Sequence, residues 1–426
     1  MAIATLGAVF MAPAAASAAD EPCNGAVELC SRTLDQVVLP GTHNSMSASE
    51  LGWSIPNQTY SISHQLDMGV RAFLYDTHYG APNGQGQIVG ISKSDGRLVH
   101  AHTYLCHELC QLGATDLTEE LHRIAEWLAA NPREVLTFIN EDGISPEDYA
   151  TAVTDSGLLP YVYTGSVSSY PTLGQMIDSN QRVVMFAEQE SAGVSWYHNA
   201  YDGNVMETPY TFLANEANPD GGLNDPAQLN DTCRPNRGSD PSPLFLMNHW
   251  ASNNGGIGFP EKASLSNARN VIVDRARACE TRRGKLPNII AVDFFGQGDL
   301  IGAVRELNGV TKPILAVGKV KAATVKAKRK ATFKLSVSNS GDATSDAVKV
   351  CAKVPAGLGR NPGCSTIPSL QQGTTGSATL KVLTKKRFRK GSGVVRFTLT
   401  AGDQALSTSA KLIVKPLKKP KRHRKA

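Results

Sequence analysis

The chain has 426 residues, 41% hydrophobic and 6% aromatic, which suits two or three folded domains and excludes a chain that is disordered overall. Outside the first twenty residues there is no uncharged apolar run of 18 or more, which excludes a multi-span helical membrane protein. The net charge of +5 conceals a split: Lys312 onward carries 26 Lys and Arg against three acids, a balance of +23, while residues 1–311 balance at −18. Two parts with different electrostatic partners are implied.

Ala2 to Ala16 is apolar or small and uncharged, and Ala16-Ser17-Ala18 fits a small-x-small cleavage site. Residues 1–18 therefore read as a secretory signal peptide, and the protein as exported, either extracellular or held at the cell envelope. The missing basic n-region points to a start upstream or a misassigned start codon. A buried N-terminal helix is the weaker alternative, since the segment has no polar face. Eight cysteines fall as local couples, Cys23/Cys30, Cys106/Cys110, Cys233/Cys279 and Cys351/Cys364. In an exported chain an even count implies disulfides, with connectivity left open by spacing alone; zinc is the rival, weakened by the absence of paired CxxC motifs.

From residue 19 to about 311, strand-like runs alternate with helical ones. Strands are predicted at Gln36–Leu39, Val70–Asp76, Arg97–His102, Val135–Asn140, Val183–Ala187, Leu244–Met247 and Ile289–Phe294. The clearest helix is Leu117–Ala130, with Leu117, Leu121, Ile124, Ala125 and Leu128 on one face, Asp116 as cap and Asn131-Pro132 as stop. Two more are predicted at Leu265–Arg283 and Asp299–Leu307. This alternation favours a parallel sheet, either open and doubly wound or closed as a β/α barrel.

Beyond Pro313 the pattern becomes all-β. Ala331–Ser338, Ala347–Val354, Ser377–Leu383, Gly393–Ala401 and Ala405–Val414 alternate apolar and polar residues between Gly, Pro, Asn and Ser turns. Residues 312–415 read as a small basic immunoglobulin-like sandwich, and residues 416–426 as a basic disordered tail.

Four strand ends carry reactive side chains: Leu39–Ser45 (LPGTHNS), Gly69–Asp76 (GVRAFLYD), Leu105–Cys110 (LCHELC) and Phe138–Asp142 (FINED). In a β/α barrel the C-terminal strand ends line one site, so these would converge. Two histidines with several oxygen ligands suit acid–base chemistry assisted by a hard cation. The ordered set PGTHNS, GVRxxxxD, LCHxxC, NPxEVxxxxxED, FLMN and PNxIAVDF resembles the X domain of phosphatidylinositol-specific phospholipases C, most closely the secreted bacterial and plant branch, over roughly residues 30–310.

That resemblance implies an imperfect TIM-like β/α barrel and metal-assisted phosphodiester cleavage. It makes His43 the general base, His107 the general acid, and Asn44, Asp76 and Glu141 calcium ligands. Leu74 stands where the calcium-dependent eukaryotic pattern has a carboxylate, so three ligands remain, with water and substrate oxygens to complete the shell. His100 and His102 compete with His107 for the acid, and Asp142 competes with Glu141 for the ligand. Arg71 lies five residues before Asp76, so alternation places it on the opposite strand face. It reads first as a packing or ion-pair residue and second as a substrate contact. Asp293 either orients a histidine or caps the last strand; Trp196 and Tyr197 either touch sugar or lipid or pack a loop.

The function expected is an exported phosphoric diester hydrolase or lyase that cleaves phosphatidylinositol-type lipids to diacylglycerol and a (cyclic) inositol phosphate with Ca2+ assistance. A catalytically silent barrel acting as an envelope- or lipid-binding module is the alternative, and a glycosylated head group or another phosphodiester keeps the chemistry but changes the substrate. The basic C-terminal part is expected to meet an anionic envelope polymer or acidic lipid, and no nucleic-acid recognition motif accompanies it.

Overall fold

The computed structural model describes residues 21–92, 102–107, 109–210, 231–252, 257–402 and 404–417, together with the backbone of 212–213. The expected signal peptide, His100, most of the Arg97–His102 strand and nearly all of the basic tail lie outside these residues. The chain divides into two compact units, residues 1–310 and 311–426.

The first unit is mixed α/β around a curled parallel sheet. Its eight parallel strands, numbered in chain order, are β1 (Leu39–Thr42), β2 (Ala72–Pro82), β3 (Leu136–Asp142), β4 (Val183–Ala187), β5 (Tyr197–Asn199), β6 (Val205–Glu207), β7 (Leu244–Asn248) and β8 (Ile289–Val292). They pair in the order β5-β4-β3-β2-β1-β8-β7-β6. Neighbours are therefore consecutive around a ring that is left open between β5 and β6. Only residues 200–204 join those two edges, with Val205 N donating to Ala200 O at 2.6 Å. Most of these strands are buried along their whole length, as expected of a parallel sheet covered on both faces.

Leu117–Ala130 forms the helix its apolar spacing predicts. Asp116 caps it by accepting from Glu119 N at 3.0 Å, and Leu117, Leu121, Ile124, Ala125 and Leu128 face the core. Asp299 likewise caps the helix Leu300–Leu307 through Gly302 N.

Three expectations shift. The first strand lies at Leu39–Thr42 rather than Gln36–Leu39, because Leu34–Gln36 forms a 3-10 turn. The run Leu265–Arg283 is two helices, Pro260–Ser266 and Arg269–Arg283. Asn267 interrupts it because its side chain donates to Asp293 O at 2.8 Å and its carbonyl accepts from Asp299 N at 2.8 Å. The last strand stops at Val292, and Phe294 takes a positive φ of 48° two residues later.

The second unit is all-β among its described residues. Lys330–Asn339 lies between Leu315–Val317 and Thr375–Leu383 in a three-stranded sheet; Ala323–Lys326, Gln404–Lys415, Gly391–Ala401, Val348–Lys353 and Ser365–Ile367 form a five-stranded one in that order. Both sheets send alternate residues into one apolar core, where Phe333 meets Phe397 edge-on at 5.3 Å. The disulfide Cys351–Cys364 belongs to this unit, while Cys23–Cys30, Cys106–Cys110 and Cys233–Cys279 belong to the first.

Candidate active site

A cavity of about 680 Å³ opens at the C-terminal ends of the parallel strands. Each of six strands delivers a polar side chain to it. His43 and Asn44 follow β1, Asp76 lies within β2, Glu141 is near the end of β3, Glu188 follows β4, Glu207 ends β6 and Asn248 ends β7. The parallel pairing brings the C-terminal ends of these strands to one side of the ring, so polar residues at or near those ends meet there.

The His43 side chain is held by an acceptor at one ring nitrogen and by a stacked ring. Its Nδ1 lies 2.9 Å from Oδ1 of Asp293, the residue just after β8, and β1 and β8 are neighbours. As an acceptor, the carboxylate selects the tautomer with the proton on Nδ1, leaving Nε2 able to take one. Asn57 Nδ2 holds the other Asp293 oxygen at 3.1 Å. Gln58 Nε2 donates to the backbone carbonyl of His43 at 2.8 Å and to that of Val292 at 2.9 Å. The imidazole lies flat on the Trp250 indole, with centroids 3.8 Å apart and planes 1° from parallel. Gly258 leaves room for this arrangement, because a Cβ there would sit 2.9 Å from Asp293 Oδ2.

His107 reaches the cavity by a different route. β2 runs on past Asp76, and the strand His102–Leu105 pairs with that extension antiparallel, Leu105 opposite Thr77. Cys106 N then donates to Asp76 O at 3.3 Å, and the Cys106–Cys110 disulfide brackets the histidine. Asn44, in the left-handed region at φ 44°, donates from Nδ2 to His107 Nε2 at 3.2 Å; asparagine tolerates that backbone conformation better than most residues.

Asp76 and Glu141 are register partners on β2 and β3. Leu74, two residues before Asp76 on the same strand face, also lines the cavity. Asp142 faces the other way, its oxygens accepting from Gln189 N and Glu190 N at 2.8 Å each. The backbone alternation that buries Asp142 thus presents Glu141 to the cavity. His102 is exposed on its strand and does not line the cavity.

The opposite wall has no signature in the sequence. Arg237 donates to Glu188 through Nη1 at 2.6 Å and Nη2 at 2.9 Å, and to Glu207 through Nε at 2.5 Å. Its guanidinium lies over the Tyr201 ring at 3.9 Å. Burial works against the Arg237 charge, but hydrogen bonds to Glu188 and Glu207 outweigh it and raise its pKa above the ordinary value. Tyr210, at the rim, is held protonated first by burial and then by the Glu207 charge. Glu188, Glu207 and Arg237 are brought together only by the fold, from positions 188, 207 and 237, and Arg237 sits in an irregular segment without periodicity. Asn248 was visible as the end of the FLMN run.

Three candidates lie elsewhere. Arg71 pairs with Glu134 at 2.8 Å, donates to the carbonyls of Leu66 and Val70, and covers the Trp127 ring at 4.9 Å. Tyr197 is buried, stacked on Tyr149 at 4.5 Å, its hydroxyl accepting from Asn140 Nδ2 at 2.7 Å. Trp196 is half-buried against the same Tyr149. None of the three lines the cavity.

The donors suit a hard cation. Asn44, Asp76 and Glu141 supply an amide and two carboxylates, oxygen donors of the kind calcium takes. Among the described residues no group of three His, Cys, Asp or Glu side chains gathers as a metal site.

The family model PI-PLC X 1 matches residues 29–308. PI-PLC X domain-containing protein 1 of Arthroderma benhamiae is 27% identical over 325 residues, covering 72% of this chain and 96% of its own length. An uncharacterized secreted protein of the same organism is 26% identical over 314 residues, covering 68% of this chain and 64% of its own. A PI-PLC X domain-containing protein of Arabidopsis thaliana is 24% identical over 323 residues, covering 69% of this chain and 67% of its own. Among solved structures, a double mutant of the phosphatidylinositol-specific phospholipase C from S. aureus is similar over 66% of this chain and 95% of that one, with 15% identity and a TM-score of 0.40. No helix among the described residues is long and apolar enough to cross a membrane.

Proposed function

The chain belongs to the PI-PLC X family, and from that membership and the cavity we propose that it is an exported phosphoric diester hydrolase or lyase acting on phosphatidylinositol-type lipids. The products are diacylglycerol and a cyclic inositol phosphate, which water can open in a second step. The observation that carries this reading is the joining of His43 to Asp293 beside a cavity that also takes His107, Asn44, Asp76 and Glu141. We further take the open ring of eight strands as an imperfect TIM-like barrel, and the second unit as immunoglobulin-like from its two-sheet layout.

His43 takes the proton of the inositol 2-hydroxyl at Nε2, and that oxygen attacks the adjacent phosphorus. Asp293 holds Nδ1–H and stabilises the imidazolium that forms, with the Trp250 face beneath it. His107 delivers a proton to the departing diacylglycerol oxygen, its ring held by Asn44 and the Cys106–Cys110 bracket. Asn44, Asp76 and Glu141 would hold calcium, which when bound neutralises the non-bridging phosphate oxygens and the charge developing on them. Arg237, Glu188 and Glu207 form a polar wall opposite, and Tyr210 gives an apolar face to the ring being bound.

The test is a head-group panel: full-length protein with phosphatidylinositol and other phospholipids in mixed micelles, with calcium and with chelator. Release of inositol phosphate from phosphatidylinositol is expected. If no phospholipid is turned over under any ion condition, the catalytically silent binding module takes the place of the enzyme.

A further inference from the structure

The second unit sorts its charge by position. Lys330–Asn339 runs from one end of the two sheets to the other, and Thr375–Leu383 returns beside it. Where the first of these begins, four segments are stitched together. Thr384 N donates to Arg329 O at 3.0 Å, Ala327 N to Lys415 O at 2.9 Å, Arg360 N to Leu383 O at 3.1 Å and Leu417 N to Arg387 O at 2.9 Å. Residues 326–330 hold four bases in five positions and residues 385–390 hold five in six, while Arg360 and Lys415 join the same end. Asp342 and Asp346 lie in the connection after Asn339, at the far end of the strand. Among the described residues, none of the bases at this end takes part in a salt bridge.

The same end exposes apolar side chains. Phe388 stands within the 385–390 turn at 41% exposure, with Lys386 Nζ 5.2 Å from its ring centroid, and Leu383 just before the turn is 44% exposed. A face that serves only solubility mixes both signs of charge and hides its aromatics. A soluble polyanion is satisfied by the bases alone and gives Phe388 nowhere to go. A membrane of anionic lipid satisfies both, with headgroups for the bases and an acyl boundary for the ring.

We propose that this end of the second unit docks on an anionic lipid surface, Phe388 and Leu383 entering the interface and the surrounding Lys and Arg lying on the headgroups. The preference for lipid over polymer rests in part on the lipid reading of the cavity, but docking needs no turnover. It would hold the enzyme where its substrate is, by a combination of charge and apolar insertion that neither part supplies alone.

The experiment is sedimentation of the full-length protein with phosphatidylcholine vesicles containing or lacking phosphatidylglycerol, and no phosphatidylinositol, so that binding is read without catalysis. Binding to the anionic vesicles that falls steeply with salt is expected, because charges are screened beyond roughly 10 Å at 0.1 M. Each base near such a surface contributes about fivefold, so the double variant K385E/K386E is expected to bind at least about 25-fold more weakly. F388A is expected to weaken binding about tenfold, and the emission of F388W to shift to the blue on anionic vesicles and not on soluble polyphosphate. Equal binding by K385E/K386E and wild type overturns the proposal. So does an F388W emission unmoved by vesicles, which would assign the basic end to a polyanion instead.

Discussion

Asp293 Oδ1 lies 2.9 Å from His43 Nδ1, although the two residues are 250 positions apart in the sequence. Each is the first residue past its strand, and β1 and β8 pair from Leu39–Ile289 to Thr42–Val292, so the sheet register sets the contact. D293N keeps the shape and removes the charge that supports the imidazolium. We expect kcat on phosphatidylinositol to fall by about 10²-fold or more, within the range of general acid–base catalysis, with KM within about threefold because no substrate contact is lost. A kcat near wild type would mean that Asp293 only caps β8.

The stack of Trp250 on His43 should be felt in the same parameter. A ring face under a cation is worth about 0.5–2 kcal/mol, so W250L is expected to lower kcat about tenfold and W250F to recover most of the loss. Stopped assays with all three proteins check this. A W250L kcat equal to wild type would reduce the stack to packing.

The pH dependence of stability should carry a mark from His249, next to that tryptophan. Its Nε2 donates to Ser266 O at 2.8 Å, and its Nδ1 accepts from Arg275 Nη1 at 3.1 Å. Burial first, and then the Arg275 charge, lower its pKa to about 3. The unfolded chain takes up a proton near pH 6.5 while the folded one does not, so the stabilisation is complete above about pH 6.5 and is lost as pH falls toward 3. Between pH 6.5 and 5 the loss amounts to about 2 kcal/mol at 1.36 kcal/mol per unit. Urea unfolding of wild type and H249Q at both pH values checks this. A slope no shallower in H249Q would contradict it.

The strands were legible wherever an apolar run ended in a polar residue. That grammar pointed to the segments LPGTHNS, GVRAFLYD and FINED, whose His43, Asp76 and Glu141 line the cavity. It missed the bounds of β1, which runs past the expected end at Leu39 through Pro40 and Gly41 to Thr42. A Cβ on Gly41 would come within 3.0 Å of Ile289 Cγ2 and 3.2 Å of Ile290 O, so the glycine is there to let β1 and β8 approach. Asn267 broke a helix for a tertiary reason no local pattern contains. The three-residue strands β5 and β6 are too short to show alternation, and with them went the Glu188–Glu207–Arg237 wall.

Calcium should act through Asn44, Asp76 and Glu141. Chelator is expected to abolish turnover, with calcium restoring it better than magnesium, since ligands from three separate strands do not match a strict octahedron. Calcium is also expected to raise the melting temperature of wild type and not of D76N, as any ion bound only by the folded state must. Full activity in chelator would contradict the ligand assignment.

Whether the two histidines lining this cavity cleave a phosphodiester is read from the inositol phosphate that wild type, H43A and H107A release from phosphatidylinositol at equal concentration with calcium present. Turnover by wild type is expected, with a loss of about 10²–10⁴-fold in each variant. Turnover by H43A or H107A equal to wild type, or none by wild type itself, would contradict it.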